Sequence, residues 1–210
     1  IVGAGAISQA ASGTTTLKGS GNLGGTSAAA AGTCSGTNGS FQFYNLTAGD
    51  ASNTKTTSAC GDITVSNDFT IAASQTFDAN TFTVTLSGTD GTPFTVNGTL
   101  TEDAGTFAYT GNYSSGSPTV TATTYYTLTL SATETFVPGG TIIVNNLLTV
   151  DTGVTFVLGT TALTVGTGTA NGHIVGAGAI TQTSGTVTLQ GAGNLGGESY
   201  AVAGGCTGMN

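Results

Sequence analysis

The chain has 210 residues, 38% of them hydrophobic and only 6% charged, so it can line a core and lacks the charge that keeps disordered chains open. Ten acidic residues face two lysines and no arginine, a net charge of −8 that excludes nucleic acid and anionic membrane surfaces as partners, since neither would be neutralised. Abundant glycine and β-branched residues, without an apolar stripe at helical spacing or a run of about 20 apolar residues, exclude a helical bundle and a membrane-spanning helix.

The chain opens with IVGAGAISQAASGTTTLKGSGNLGG over residues 1–25, and residues 174–197 read IVGAGAITQTSGTVTLQGAGNLGG. The match resumes where GTCSGTN, Gly32 to Asn38, meets GGCTGMN, Gly204 to Asn210, so that Asn38 and Asn210 stand 172 positions apart. A match of this length does not arise from shared composition. Residues 1–38 are therefore expected to overlap one repeat copy, residues 39–173 to complete it and residues 174–210 to open the next. A chain that begins inside a repeat is also expected to have further sequence, including any leader, upstream.

Between the copies the apolar residues fall in short runs broken by Gly, Asn, Asp or Ser. In chain order the expected strands are 63–65, 69–71, 82–86, 94–96, 126–130, 141–144, 147–150, 156–158 and 162–165. Phe82, Val84 and Leu86 alternate with Thr83 and Thr85, which puts apolar side chains on one face and threonines on the other. Asp90-Gly91 and Pro138-Gly139-Gly140 mark turns. A fainter repeat of about 80 residues aligns Ile63-Thr-Val with Ile142-Ile-Val, its second member starting near residue 120.

Many short strands with Gly-rich turns fit an all-β fold, either a right-handed parallel β-helix (a β-solenoid of duplicated rungs) or tandem β-sandwich domains. The solenoid is favoured. Three strands fit a rung of roughly 25 residues, and duplication adds rungs without a new core. Thr, Ser and Asn also suit columns in which a charge would meet its own sign about 4.8 Å away. Phe43-Tyr-Asn-Leu-Thr, Leu148-Thr-Val-Asp-Thr-Gly-Val-Thr-Phe and Ala162-Leu-Thr-Val-Gly resemble rungs of large repetitive bacterial or archaeal surface proteins, the filamentous-haemagglutinin-like and autotransporter-like β-helix adhesins. The resemblance spans about residues 40–197 and implies display on a cell surface or assembly in a fibre. It carries over no functional residue.

Three cysteines are present. Cys206 is the copy of Cys34, so a Cys34–Cys60 disulfide is expected, with Cys206 bonded beyond residue 210 or to another chain. Such a bond places the protein outside the reducing cytosol. Four sequons, at Asn38, Asn45, Asn97 and Asn112, are candidate glycosylation sites, Asn38 and Asn112 being the most turn-like.

No catalytic, cofactor or metal-binding residue is expected. Val2-Gly-Ala-Gly-Ala and its copy from Val175 mimic a dinucleotide fingerprint but have Ser8 and Thr181 at the third glycine position and no helix to follow. His173 is the only histidine, and Glu102-Asp103 the only adjacent carboxylates; each fits a turn better than a reaction. Calcium at Asp62, Asp68 or Glu102-Asp103 would lack a recognised ligand loop.

The expectation is a non-enzymatic, extracellular structural repeat forming a filament, stalk or sheath, by covalent continuation into further repeats or by self-association. The alternative is an adhesin that contacts a glycan or surface through residues 26–42 and 48–61 or through an exposed patch of Tyr113, Tyr125 and Tyr126, although stacked core or ladder positions fit these tyrosines better.

Overall fold

A computed structural model describes residues 6–9, 11–25, 34, 39–52, 54–89, 91–113 and 116–197. Every regular element among them is a β-strand, and the strands stack in parallel as a β-solenoid. Parallel pairing throughout the described ladders rules out tandem β-sandwiches, whose sheets are antiparallel. The chain divides into two compact units, Ile1–Thr106 and Phe107–Asn210.

In the first unit, β1 (Ala6–Ser8), β2 (Thr14–Leu17) and β3 (Gly21–Gly24) make one rung. β4 (Gly39–Phe43), β5 (Asn45–Ala48) and the first half of β6 (Lys55–Val65) make the next. The second half of β6 opens a third rung with β7 (Phe69–Ile71) and β8 (Gln75–Asp78). β9 (Thr83–Leu86), β10 (Phe94–Val96) and β11 (Thr99–Thr101) follow. β6 turns a corner as one strand, since residues 57–60 pair with β3 while residues 61–65 pair with β4.

Register turns the alternation of the sequence into columns. Leu46, Phe69 and Phe94 lie one above another, and so do Phe43, Val65 and Leu86; all six are at most 1% exposed. The Phe69 and Phe94 rings stack with centroids 5.1 Å apart, and Phe77 meets Phe69 edge-on at 4.9 Å. One residue along, Thr16, Thr47, Thr70 and Thr95 form a neutral column on the outer side. Each β-branched side chain there covers the next without placing like charges together. Phe82, expected to point inward with Val84 and Leu86, precedes its strand and is only half-buried.

The second unit follows the same plan. Its strands are β12 (Thr106–Tyr109), β13 (Thr119–Val120), β14 (Thr124–Leu130), β15 (Thr135–Pro138), β16 (Ile142–Val150), β17 (Thr155–Gly159), β18 (Leu163–Val165), β19 (His173–Val175), β20 (Ala179–Gln182) and β21 (Val187–Leu189). β16 also serves two faces: residues 142–144 pair with β18 and residues 147–149 with β19. The break expected at Asn145-Asn146 is instead a corner within one strand. At this corner the segments aligned by the fainter repeat differ in shape: Ile63–Val65 and Phe69–Ile71 lie in separate strands where their aligned partners are continuous.

The core of this unit is aromatic and partly polar. Tyr109 and Phe136 meet edge-on at 6.3 Å, and Phe107 and Tyr125 at 5.5 Å. The Tyr125 hydroxyl donates to the Thr121 carbonyl at 2.9 Å, which leaves Tyr109 to donate to Tyr125 across 3.0 Å. The Thr121 N–H in turn donates to the Tyr109 oxygen at 3.2 Å, closing the network.

Desolvation by burial raises both phenols, Tyr125 well above its ordinary value of 10.0, with repulsion from Tyr109 adding to the effect. The folded state therefore holds these protons more tightly than the unfolded chain. Its stability is fully present below about pH 10 and falls as pH rises beyond it. Denaturant titrations from neutral to strongly alkaline pH should show a plateau and then a steep loss. Tyr125→Phe should cost about 1 kcal/mol at neutral pH and soften the alkaline fall; a stability that stays level through the alkaline range would contradict the buried pair.

Candidate functional site

The most elaborated polar cluster in the first unit gathers where β6 turns its corner. Cys34 and Cys60 are joined by a disulfide with a Cα–Cα distance of 5.3 Å, as the repeat arithmetic expects. Cys60 is fully buried and pairs with Gly24. Gly24 has φ +108, and a Cβ there would run into the Cys60 carbonyl, so this corner requires glycine on both counts.

The wall beside the disulfide comes from the β8–β9 turn. Asn80, at φ +50, donates from Nδ2 to the Ala59 carbonyl at 2.7 Å and lies 3.6 Å from Cys34 Sγ. Its N–H donates to Asp78 Oδ1 at 2.9 Å, and the Ser58 hydroxyl donates to Asp78 Oδ2 at 3.2 Å. Both carboxylate oxygens of Asp78 thus receive protein donors, and Ser58 and Asp78 are buried. The arrangement clamps the corner: it ties β6 to β8 and, with the disulfide, holds Cys34 beside Ala59 and Asn80.

The other residues singled out in the sequence take framework positions. His173 is buried at the start of β19, where Nδ1 accepts the Asn194 N–H at 3.2 Å. Asp103 sits exposed in a turn at φ +38, and the Glu102 carbonyl accepts the Gly105 N–H at 2.8 Å. Asp62 Oδ1 accepts the Thr83 N–H at 2.9 Å, and Asp68 Oδ2 accepts from Asn67 Nδ2 at 3.0 Å. Among the described residues no three His, Cys, Asp or Glu side chains converge on a metal position. Gly176–Gly178, in the copy of the glycine-rich motif, form bends leading into β20, without a helix. Lys18 and Asp50 approach to 3.9 Å at the surface, a pair contributing about 0–1 kcal/mol.

Asn45 is half-buried and built into a ladder, its Oδ1 accepting from Asn67 Nδ2 at 2.8 Å and from the Asp68 N–H at 3.1 Å. Asn97 and Asn112 are exposed. Asn38 and Cys206 lie outside the described residues. For the adhesive alternative, the tyrosines take the core positions that fit them better and the loop expectation is corrected. Tyr113 and Tyr125 are buried by the aromatic core and Tyr126 is half-buried, so they form no exposed patch. Of residues 26–42 and 48–61, expected as loops, 39–42 belong to β4 and 55–61 to β6, because the neighbouring strands supply a ladder that the polar sequence itself does not advertise; residues 26–33 and 35–38 lie outside the described residues.

Two surface grooves lie among the described residues, neither of them legible in the sequence. In the first unit a groove of about 320 Å³ runs along residues 16–23 and Thr57. In the second, a groove of about 250 Å³ is lined mainly by Val150, Ile174, Val175, Ile180 and Leu195. No family model, curated protein or solved structure matches the chain.

Reduction of the disulfide, or Cys60→Ser, should lower unfolding stability by about 3 kcal/mol, the chain-entropy value for a loop of this size. Chemical denaturation of oxidised and reduced protein measures it. Equal midpoints would show that the corner is held without the bond.

Proposed function

We propose that this chain is a structural, non-enzymatic repeat of an extracellular filament, stalk or sheath. The observation that carries the reading is the use of the duplicated segment. Residues 6–24 supply three strands stacked on β4, β5 and β6, and their copy, residues 179–196, supplies strands stacked on β17 and β18 and a bridge from Leu195 to Ile174. Sequence duplication is here duplication of stacking elements, and elements that stack on their neighbours extend without a natural limit.

The chemistry of the columns supports the same reading. Neutral threonine ladders and apolar columns allow rung to follow rung, whereas charged columns would repel. The disulfide fits an oxidising, extracellular setting. A β-solenoid is the fold that the resemblance of the rung sequences to repetitive surface proteins implies, and that resemblance supports display at a cell surface. An adhesive role through clustered tyrosines has no support from their burial.

Electron microscopy and fibre diffraction of the native material test this. Filaments with a reflection near 4.8 Å along the fibre axis are expected, because the strands stack along that axis. Recovery of the protein solely as separate, monodisperse molecules would overturn the proposal.

A further inference from the structure

The dipeptide Asn-Gly has a reaction of its own, because a glycine carries no side chain to shield its nitrogen from the amide carbon just before it. The sequence contains this pair at Asn38-Gly39, Asn97-Gly98 and Asn171-Gly172. The second and third lie among the described residues, and the fold holds them in opposite conditions.

Asn171 is pinned. Its Oδ1 accepts the Ala192 N–H at 2.8 Å, and the Gly172 N–H donates to the Gln190 carbonyl at 2.9 Å. Gly172 is buried, and a Cβ there would run into the Val165 carbonyl. The side-chain amide and the glycine nitrogen that would have to meet are each tied to the strand end beside them.

Asn97 is not. It is exposed at the corner between β10 and β11, and its side chain makes no hydrogen bond among the described residues. The Gly98 N–H reaches the Ile71 carbonyl only at 3.3 Å, past the usual range, sharing that oxygen with the Asn97 N–H at 2.9 Å. Glycine is nonetheless required at 98, since a Cβ would run into the carbonyls of Ala72 and Gln75. The corner thus demands the one residue that leaves the Asn97 amide open to attack, and it asks nothing of the Asn97 side chain.

We infer that Asn97-Gly98 is a self-modifying site, at which the folded protein converts Asn97 through a cyclic imide to aspartate and isoaspartate, while the fold protects Asn171. The Gly98 nitrogen gives its proton to solvent base and attacks Cγ of Asn97. The N–Cγ bond forms, the Cγ–Nδ2 bond breaks, and the amide nitrogen takes up a proton and leaves as ammonia. Water then opens the imide. Cleavage between the Gly98 nitrogen and Cγ gives aspartate. Cleavage between that nitrogen and the main-chain carbonyl carbon gives isoaspartate, in which the chain runs through Cγ and gains one backbone atom. No oxidant and no enzyme takes part. Only Asn97 and Gly98 join β10 to β11, so the added atom falls between Val96, registered on Ile71, and Thr99, registered on Thr76. Register at this corner is what the reaction spends.

The test incubates the unglycosylated 210-residue chain at mildly alkaline pH, folded and denatured in parallel, and maps acid and isoaspartyl peptides by mass spectrometry. In denaturant the two sites should convert at similar rates, being the same dipeptide. In the folded chain Asn171 should lag behind Asn97 by about tenfold or more, because two hydrogen bonds must break before its ring can close. Asn97→Gln should remove the product at this corner and leave the fold intact. Isoaspartate-bearing protein should unfold at lower denaturant than Asn97→Asp, which carries the charge without the extra backbone atom. Equal rates at the two sites in the folded chain would overturn the inference, as would an Asn97 that converts only when denatured. An isoaspartyl form as stable as Asn97→Asp would overturn the loss of register.

Discussion

In-register parallel hydrogen bonding between successive rungs is the interaction on which the rest depends. It is mostly backbone, so it does not require one particular side chain, but its register decides which side chains meet. Once Phe69 lies over Leu46 and under Phe94, the threonines beside them have no choice but to lie over threonines. The composition follows from that geometry. Like residues stacked about 4.8 Å apart must tolerate their own kind, which favours Thr, Asn and aliphatic groups over Lys and Glu. The scarcity of charge is thus a requirement of the architecture.

Much of the stacking could be read from the residues. Phe69-Thr-Ile, Phe94-Thr-Val and Leu163-Thr-Val alternate cleanly and form strands where expected. The Cys34–Cys60 pairing followed from treating Cys206 as a copy, which needed no geometry. What escaped reading was set by neighbours. Lys55-Thr-Thr-Ser-Ala-Cys has no apolar alternation, yet it is strand because β3 and β8 flank it. Asn145-Asn146 reads as a break and is a corner, because β14 and β18 hold Ile142 to Val144 on one side while β19 holds Leu147 to Thr149. Tyr113 and Tyr125 read better as core than as surface, but the Thr121 carbonyl that the Tyr125 hydroxyl finds was not legible in the sequence.

The clamp around the disulfide was only half legible. Two cysteines marked the place, but Ser58, Asp78 and Asn80 are common residues at unremarkable spacing, and only the register of β6 with β8 brings them together.

The most direct test of in-register stacking is a double-mutant cycle on Thr47 and Thr70, which pair across β5 and β7. Each single change to Asp should be tolerated with a modest loss. Together they should show an unfavourable coupling of about 1 kcal/mol or more, the repulsion of two like charges at a strand spacing, and it should shrink in high salt. Strictly additive losses at low salt would mean that the two side chains do not face each other, and the stacked-rung account would fail.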